Sequence, residues 1–146
     1  MTSPIGASGA APDDRGPVEH ITDADARALA ITVAQIADDK QGTDIIVLQV
    51  GDVLNVTEYF VVMSAPNRRL VRTLVDEVET QVRERIGRSP VRSEGVREQQ
   101  WVLVDYGDVV VHVFLAEIRD FYEIERLYTD VPKVAWAPTD RTDPTR

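Results

Sequence analysis

Residues Trp101 to Tyr128 read WVLVDYGDVVVHVFLAEIRDFYEIERLY, and this stretch decides the fold. Two apolar runs, Trp101 to Asp105 and Val109 to Leu115, flank Asp105-Tyr106-Gly107-Asp108. Tight turns favour Asp and Gly, so the spacing predicts a β-hairpin. A helix follows at once, over about Ile118 to Tyr128, packing through Phe121, Ile124 and Leu127 or Tyr128. His112 interrupts the valines, and Arg119, Tyr122 and Glu125 are spaced along the helix. A core needs none of these polar residues, whereas a site or an interface has a use for them.

Upstream, Thr22 is placed to cap a helix, with Asp23 and Asp25 in the first turn where the helix dipole favours acids. Leu29, Val33 and Ile36 recur at helical spacing until Gly42. Ile45 to Val50 is a β-branched, nearly continuous apolar run, as expected of a strand covered on both faces. Tyr59 to Met63 is a second strand, which Pro66 and Asn67 stop, and Asn67 can cap the next helix. In that helix Val71, Leu74, Val75, Val78, Val82 and Ile86 trace one face, and Gly87 closes it. A short strand is expected at Val91 to Glu94. The order α-β-β-α-(β)-β-β-α implies one α/β (α+β) domain, a mixed sheet of four or five strands covered by helices. The domain is expected over residues 22–131, between a disordered tail at 1–21 and a second tail at 132–146. Trp136, inside the second tail, is expected to anchor against the domain, because a lone Trp gains much by burial.

The chain has 146 residues, enough for one core and too few for two comfortable ones. It has no cysteine, which removes disulfides, thiolate metal sites and a cysteine nucleophile. No secretory signal and no bilayer-length apolar run is visible, so the cytoplasm is the default. The formal net charge is −9, and a polyanion would repel such a chain at long range. Arg68, Arg69 and Arg72 form a local basic cluster, but Asp76, Glu77 and Glu79 follow them on the same helix. Little direct RNA binding is expected.

Asp105, Asp108 and His112 form the one cluster resembling a metal or acid–base site. Turn chemistry explains both aspartates without a metal, and neither a metal nor another cofactor is expected. G-x-S-x-G, P-loop and dinucleotide-binding patterns are missing, and His20 and His112 are the two histidines. Catalysis is not expected, although a metal-dependent nucleotidyl- or phosphotransferase using Asp105 and Asp108 is the rival reading. An interface is the better use. Alternation puts Trp101, Leu103 and Asp105 on one face of their strand and Val102, Val104 and Tyr106 on the other. Trp101 is equally readable as core and as the aromatic anchor of a binding surface.

The run W-V-L-V-D-Y-G-D-V-V-V-H-V-F, followed by R-x-F-Y-x-I-E-x-L-Y, resembles the ribosomal silencing factor, or Iojap-like, family. Asp44 to Val50, Thr57 to Ser64 and Glu94-Gly95 extend the resemblance in the family's order, so that it covers roughly Ala24 to Val131. It implies a nucleotidyltransferase-like architecture, but Ser64-Ala65-Pro66-Asn67 stands where those enzymes carry Gly-Ser, and no D-x-D pair follows at a strand end. It implies binding to ribosomal protein fourteen of the large subunit and a steric block to joining with the small subunit, repressing translation, with large-subunit biogenesis a close variant. The residues implied to grip the partner are Glu94, Trp101, Leu103, Asp105, Tyr106 and Asp108, with Arg119, Tyr122 and Glu125 fixing the last helix to the sheet. No membrane partner is expected, and the free protein is expected to be able to dimerise through an unoccupied apolar face. Glu58, Ala65, Asn67 and Tyr128 depart from the family's usual Asp, Gly, Ser and Trp. Tyr128 places the partner contact at that end of the helix in doubt.

Overall fold

The computed structural model describes residues 22–137; the N-terminal tail expected over 1–21, with His20, and the last nine residues lie outside it. Helix α1 (Asp23–Asp39) starts in a reciprocal cap: the Asp25 N–H donates to Thr22 Oγ1 at 3.0 Å and the Thr22 N–H to Asp25 Oδ2 at 3.2 Å. Strands β1 (Thr43–Gln49) and β2 (Tyr59–Ala65) follow, then α2 (Arg68–Ile86), which the Asn67 side chain caps by accepting from the Leu70 N–H at 2.8 Å. Gly87 ends α2 at φ 81°, a left-handed conformation that glycine adopts without a Cβ penalty. Strands β3 (Arg92–Glu94), β4 (Trp101–Asp105) and β5 (Val109–Leu115) complete one sheet, ordered β1-β2-β5-β4-β3. β2 and β5 run parallel and the other neighbours antiparallel, so this is the mixed five-stranded α+β sheet that the element order implies.

The sheet has two unlike faces. Helices α1 and α2 cover one, burying Leu29, Val33, Leu74 and Val78 against Val61, Met63, Val104 and Val111. The other carries a smaller cluster of Leu48, Val50, Phe60, Val62, Phe114 and Ile124. Its cover is helix α3 (Ala116–Tyr122) and a 3-10 turn (Ile124–Tyr128), which shield only part of it.

Three expectations are corrected. The last helix is not continuous to Tyr128: it begins directly off β5 at Ala116 and stops at Glu123, whose φ of 49° breaks the helical path. With the phase so set, Phe121 and Leu127 are 78% and 77% exposed and stay out of the core, while Ile118 and Ile124 make the contact. Ile86, at the very end of α2, is also exposed. Finally, residues 132–137 lie along β1 rather than hanging as a tail. The Gln49 N–H donates to the Pro132 carbonyl and the Val134 N–H to the Val47 carbonyl, both at 2.9 Å. Trp136 anchors as expected: its Nε1–H donates to the Ile45 carbonyl at 3.2 Å, and its own carbonyl accepts from Gln35 at 2.9 Å. This segment satisfies part of an edge that would otherwise be open to pairing with another chain.

Candidate functional site

Strand alternation decides what the open face offers. Val102 and Val104 are buried beneath α2, while Trp101, Leu103 and Asp105 are half-buried on the opposite side. Register then brings in β5 and β2, because Leu103 pairs with His112 and Asp105 with Val110, and Phe60 and Val62 pair with Val110 and His112. The residues facing away from α1 and α2 are therefore Trp101, Leu103 and Asp105 beside Val110, His112 and Phe60.

Trp101 packs on the sheet and keeps part of its ring accessible. Its ring stacks on Phe114 at 4.8 Å between centroids and lies 5.2 Å from Tyr122, yet the residue stays half-buried. Its Nε1–H donates to His112 Nδ1 at 3.1 Å. His112 is 6% exposed, with the Phe60 ring edge-on at 4.5 Å, and burial lowers its pKa to about 4, so the imidazole is neutral at physiological pH. Beside this aromatic group a depression of about 260 Å³ opens toward β3, walled by Leu54, Phe60, Leu103 and Val110 and floored in part by His112. Glu94 and Asp105 line its rim with Arg92 between them, whose Nε lies 3.2 Å from Asp105 and 3.9 Å from Glu94. Asp105 also accepts the Gly107 N–H at 2.7 Å, which closes the hairpin turn. Gly95 follows Glu94 at φ 77°, and a Cβ there would collide with the Trp101 carbonyl oxygen, so the loop reaches β4 only with glycine.

Two residues read as belonging to this face do not. Tyr106 is 2% exposed and packs in the core under α2; burial pushes its hydroxyl up to about 12. Asp108 is held by Arg88 through two hydrogen bonds of 2.6 and 3.0 Å, and the same guanidinium donates to the Tyr106 carbonyl at 2.8 Å. The family resemblance implied both; Tyr106 points into the helix-covered core, and Asp108 is taken up by Arg88. The two aspartates of the rival metal reading are thus each engaged by a separate arginine. Among the described residues no group of three or more His, Cys, Asp or Glu is placed to hold a metal ion, and no helix is long and apolar enough to cross a membrane.

Arg119 and Glu125 fix the last helical segment, as expected. The buried Arg119 donates to Ser64 Oγ on β2 at 3.1 Å and to Glu125 at 3.0 Å, while Tyr122 contributes its ring contact with Trp101. Phe60, Leu54, Thr57, Val110 and Arg92 went unassigned to the site in the sequence, because the parallel β2–β5 register sets Phe60 beside Val110, the β3–β4 pairing brings Arg92 to Asp105, and no local signal carries either pairing.

The family described as "Ribosomal silencing factor during starvation" matches residues 23–146. The ribosomal silencing factor of Bacillus subtilis is 37% identical over 99 residues, 68% of this chain and 83% of that protein. A mouse protein named "Mitochondrial assembly of ribosomal large subunit protein 1" is 31% identical over 116 residues, 78% of this chain and 50% of its own length. A crystal structure of a Chromobacterium violaceum protein superposes with a TM-score of 0.65 at 34% identity, covering 84% of this chain and 98% of that one.

Proposed function

The chain belongs to the ribosomal silencing factor family, and from that membership we propose that it docks on ribosomal protein fourteen of the large subunit and sterically blocks joining with the small subunit. The observation that carries the reading is the uncovered part of the sheet's second face, where Trp101 and Leu103 stand half-buried beside an apolar depression with Glu94 and Asp105 at its rim. Half-buried aromatic and aliphatic groups ringed by polar ones are what interface hot spots are made of. A standard interface of roughly 800 Å² per partner would hold the protein in place. The net charge of −9 suits a basic ribosomal protein and would speed encounter. No turnover is needed.

The family's name favours a regulatory role, and the two aspartates of the rival transferase reading are each paired with an arginine, Asp105 with Arg92 and Asp108 with Arg88. The mouse relative's name favours one variant of the same docking, a role in assembling the large subunit. Without its partner the same face is available for self-association, and light scattering that shows only monomer at high concentration would count against that part.

Sedimentation of purified subunits tests the proposal. Wild-type protein is expected to migrate with the large subunit and suppress joining, whereas Trp101→Ala and Asp105→Arg proteins are expected to do neither. Joining that proceeds unchanged, with no co-migration of the wild type, would refute it.

A further inference from the structure

Alternation along β3 places Arg92 and Glu94 on the open face and Ser93 toward α2, where its hydroxyl lies 3.5 Å from Glu79. The β3–β4 register sets Arg92 opposite Asp105 and Glu94 opposite Leu103, so one cation stands between two acids at the rim of the depression. Among the described residues these two carboxylates are the ionic partners of Arg92, Asp105 Oδ2 at 3.2 Å from its Nε and Glu94 Oε2 at 3.9 Å. The three side chains are held unequally. Arg92 is 68% exposed and Glu94 60%, whereas Asp105 is 22% exposed, so the guanidinium is a loose member of the group. Asp105 also divides its oxygens: Oδ1 accepts the Gly107 N–H at 2.7 Å, and Oδ2 faces Arg92. A change of cation at Oδ2 therefore leaves the hairpin turn intact.

Deepening the docking reading, on which it rests, we infer that Arg92 is a built-in competitor. In the free protein it holds the place that a lysine or arginine side chain of the partner protein takes on docking. Exposed ion pairs contribute little, so Arg92 gives way easily. The same two carboxylates then meet the incoming cation in an interface from which water is excluded, where the attraction is stronger. Leu54, Phe60, Leu103 and Val110 line the depression beside the acids and suit the methylene stem of such a side chain. Charge selects the occupant: an anionic group would meet two carboxylates against one guanidinium. A neutral segment has no charge with which to displace Arg92. The contact thus filters partners, and it weakens binding of the right one by the strength of the pairs that must break.

Arg92→Gln removes the charge and keeps most of the stem. Arg72→Gln on α2 is its control, since it removes the same charge and frees Asp76 from an exposed pair of 4.0 Å. Each protein is titrated against purified large subunits at about 0.1 M salt, where the screening length is about 10 Å, and melted in parallel. Arg92→Gln is expected to bind about 3- to 10-fold more tightly than wild type while melting at or slightly below its temperature, and the gain should shrink as salt is raised. Arg72→Gln, and Arg92→Lys, which keeps the charge, are expected to stay within about twofold of wild type. Truncating an ordinary contact residue weakens binding, so a gain of affinity is the signature of a competitor. Arg92→Gln binding within about twofold of wild type, or more weakly, would overturn the inference and leave the docking reading standing. An equal gain from Arg72→Gln or Arg92→Lys would do the same. A wild type that fails to bind the large subunit would overturn both.

Discussion

One sheet presents two faces built from the same kinds of residue and finished differently. The first lies under two helices of 17 and 19 residues, and its valines, Val61, Val104 and Val111 among them, are fully buried. The second has a helix of 7 residues and a 3-10 turn of 5, which cover the Phe114 end and stop short of Leu103 and Val110. The difference teaches how to separate stability from recognition in this chain. Where helices close the sheet, side chains serve the fold; where cover runs out, half-buried Trp101 and Leu103 and the acids beside them are free to serve a partner.

The contrast is sharpest in truncations. Leu74→Ala, on the α2 side, should cost about 2–5 kcal/mol in urea denaturation, the range for fully buried leucines. Leu103→Ala, half-buried, should cost roughly 1 kcal/mol or less while weakening subunit binding. Equal stability losses would erase the distinction between the faces. Next in size is Arg119→Ala, which strips the bond to Ser64 and the pair with Glu125 that pin α3 to β2. Glu125 is one-third exposed, so the loss should be about 2–3 kcal/mol, below that of a fully buried pair, with amide exchange accelerating first in α3.

A pH series is subtler and falls within the second face. His112 stays neutral in the folded chain down to about pH 4, whereas the unfolded chain protonates it near 6.5. As pH falls through 6.5 the unfolded state binds the proton first, so stability declines from 6.5 toward 4, at up to about 1.4 kcal/mol per unit, and is flat above that window. His112→Phe should remove this component of the slope from denaturation curves measured across the window. An unchanged slope would mean that the ring is not held neutral by burial.

Much of this division was readable in the sequence, and what was missed has physical reasons. Alternation in WVLVD separates Trp101 from Val102, and the caps at Thr22, Asn67 and Gly87 mark the helices, because these signals are local. Tyr106 and Asp108 entered the site through the family resemblance, although alternation already sets Tyr106 against Trp101 and only the fold shows Arg88 taking Asp108. The parallel pairing of β2 with β5 spans about fifty residues and leaves no local trace, so Phe60, Thr57 and His112 could not be placed around one depression from sequence. The early stop of the last helix was equally hidden, since a left-handed Glu123 is not a residue choice that announces itself.

The measurement that bears most directly on the account sets Asp105→Arg against Glu84→Arg, an exposed residue on α2, in binding to purified large subunits at fixed salt. Both changes alter net charge equally, so overall electrostatics cancel in the comparison. The account predicts that Asp105→Arg abolishes binding and that Glu84→Arg keeps it near wild type. Equal losses, or a loss confined to Glu84→Arg, would contradict the assignment of the open face as the docking surface.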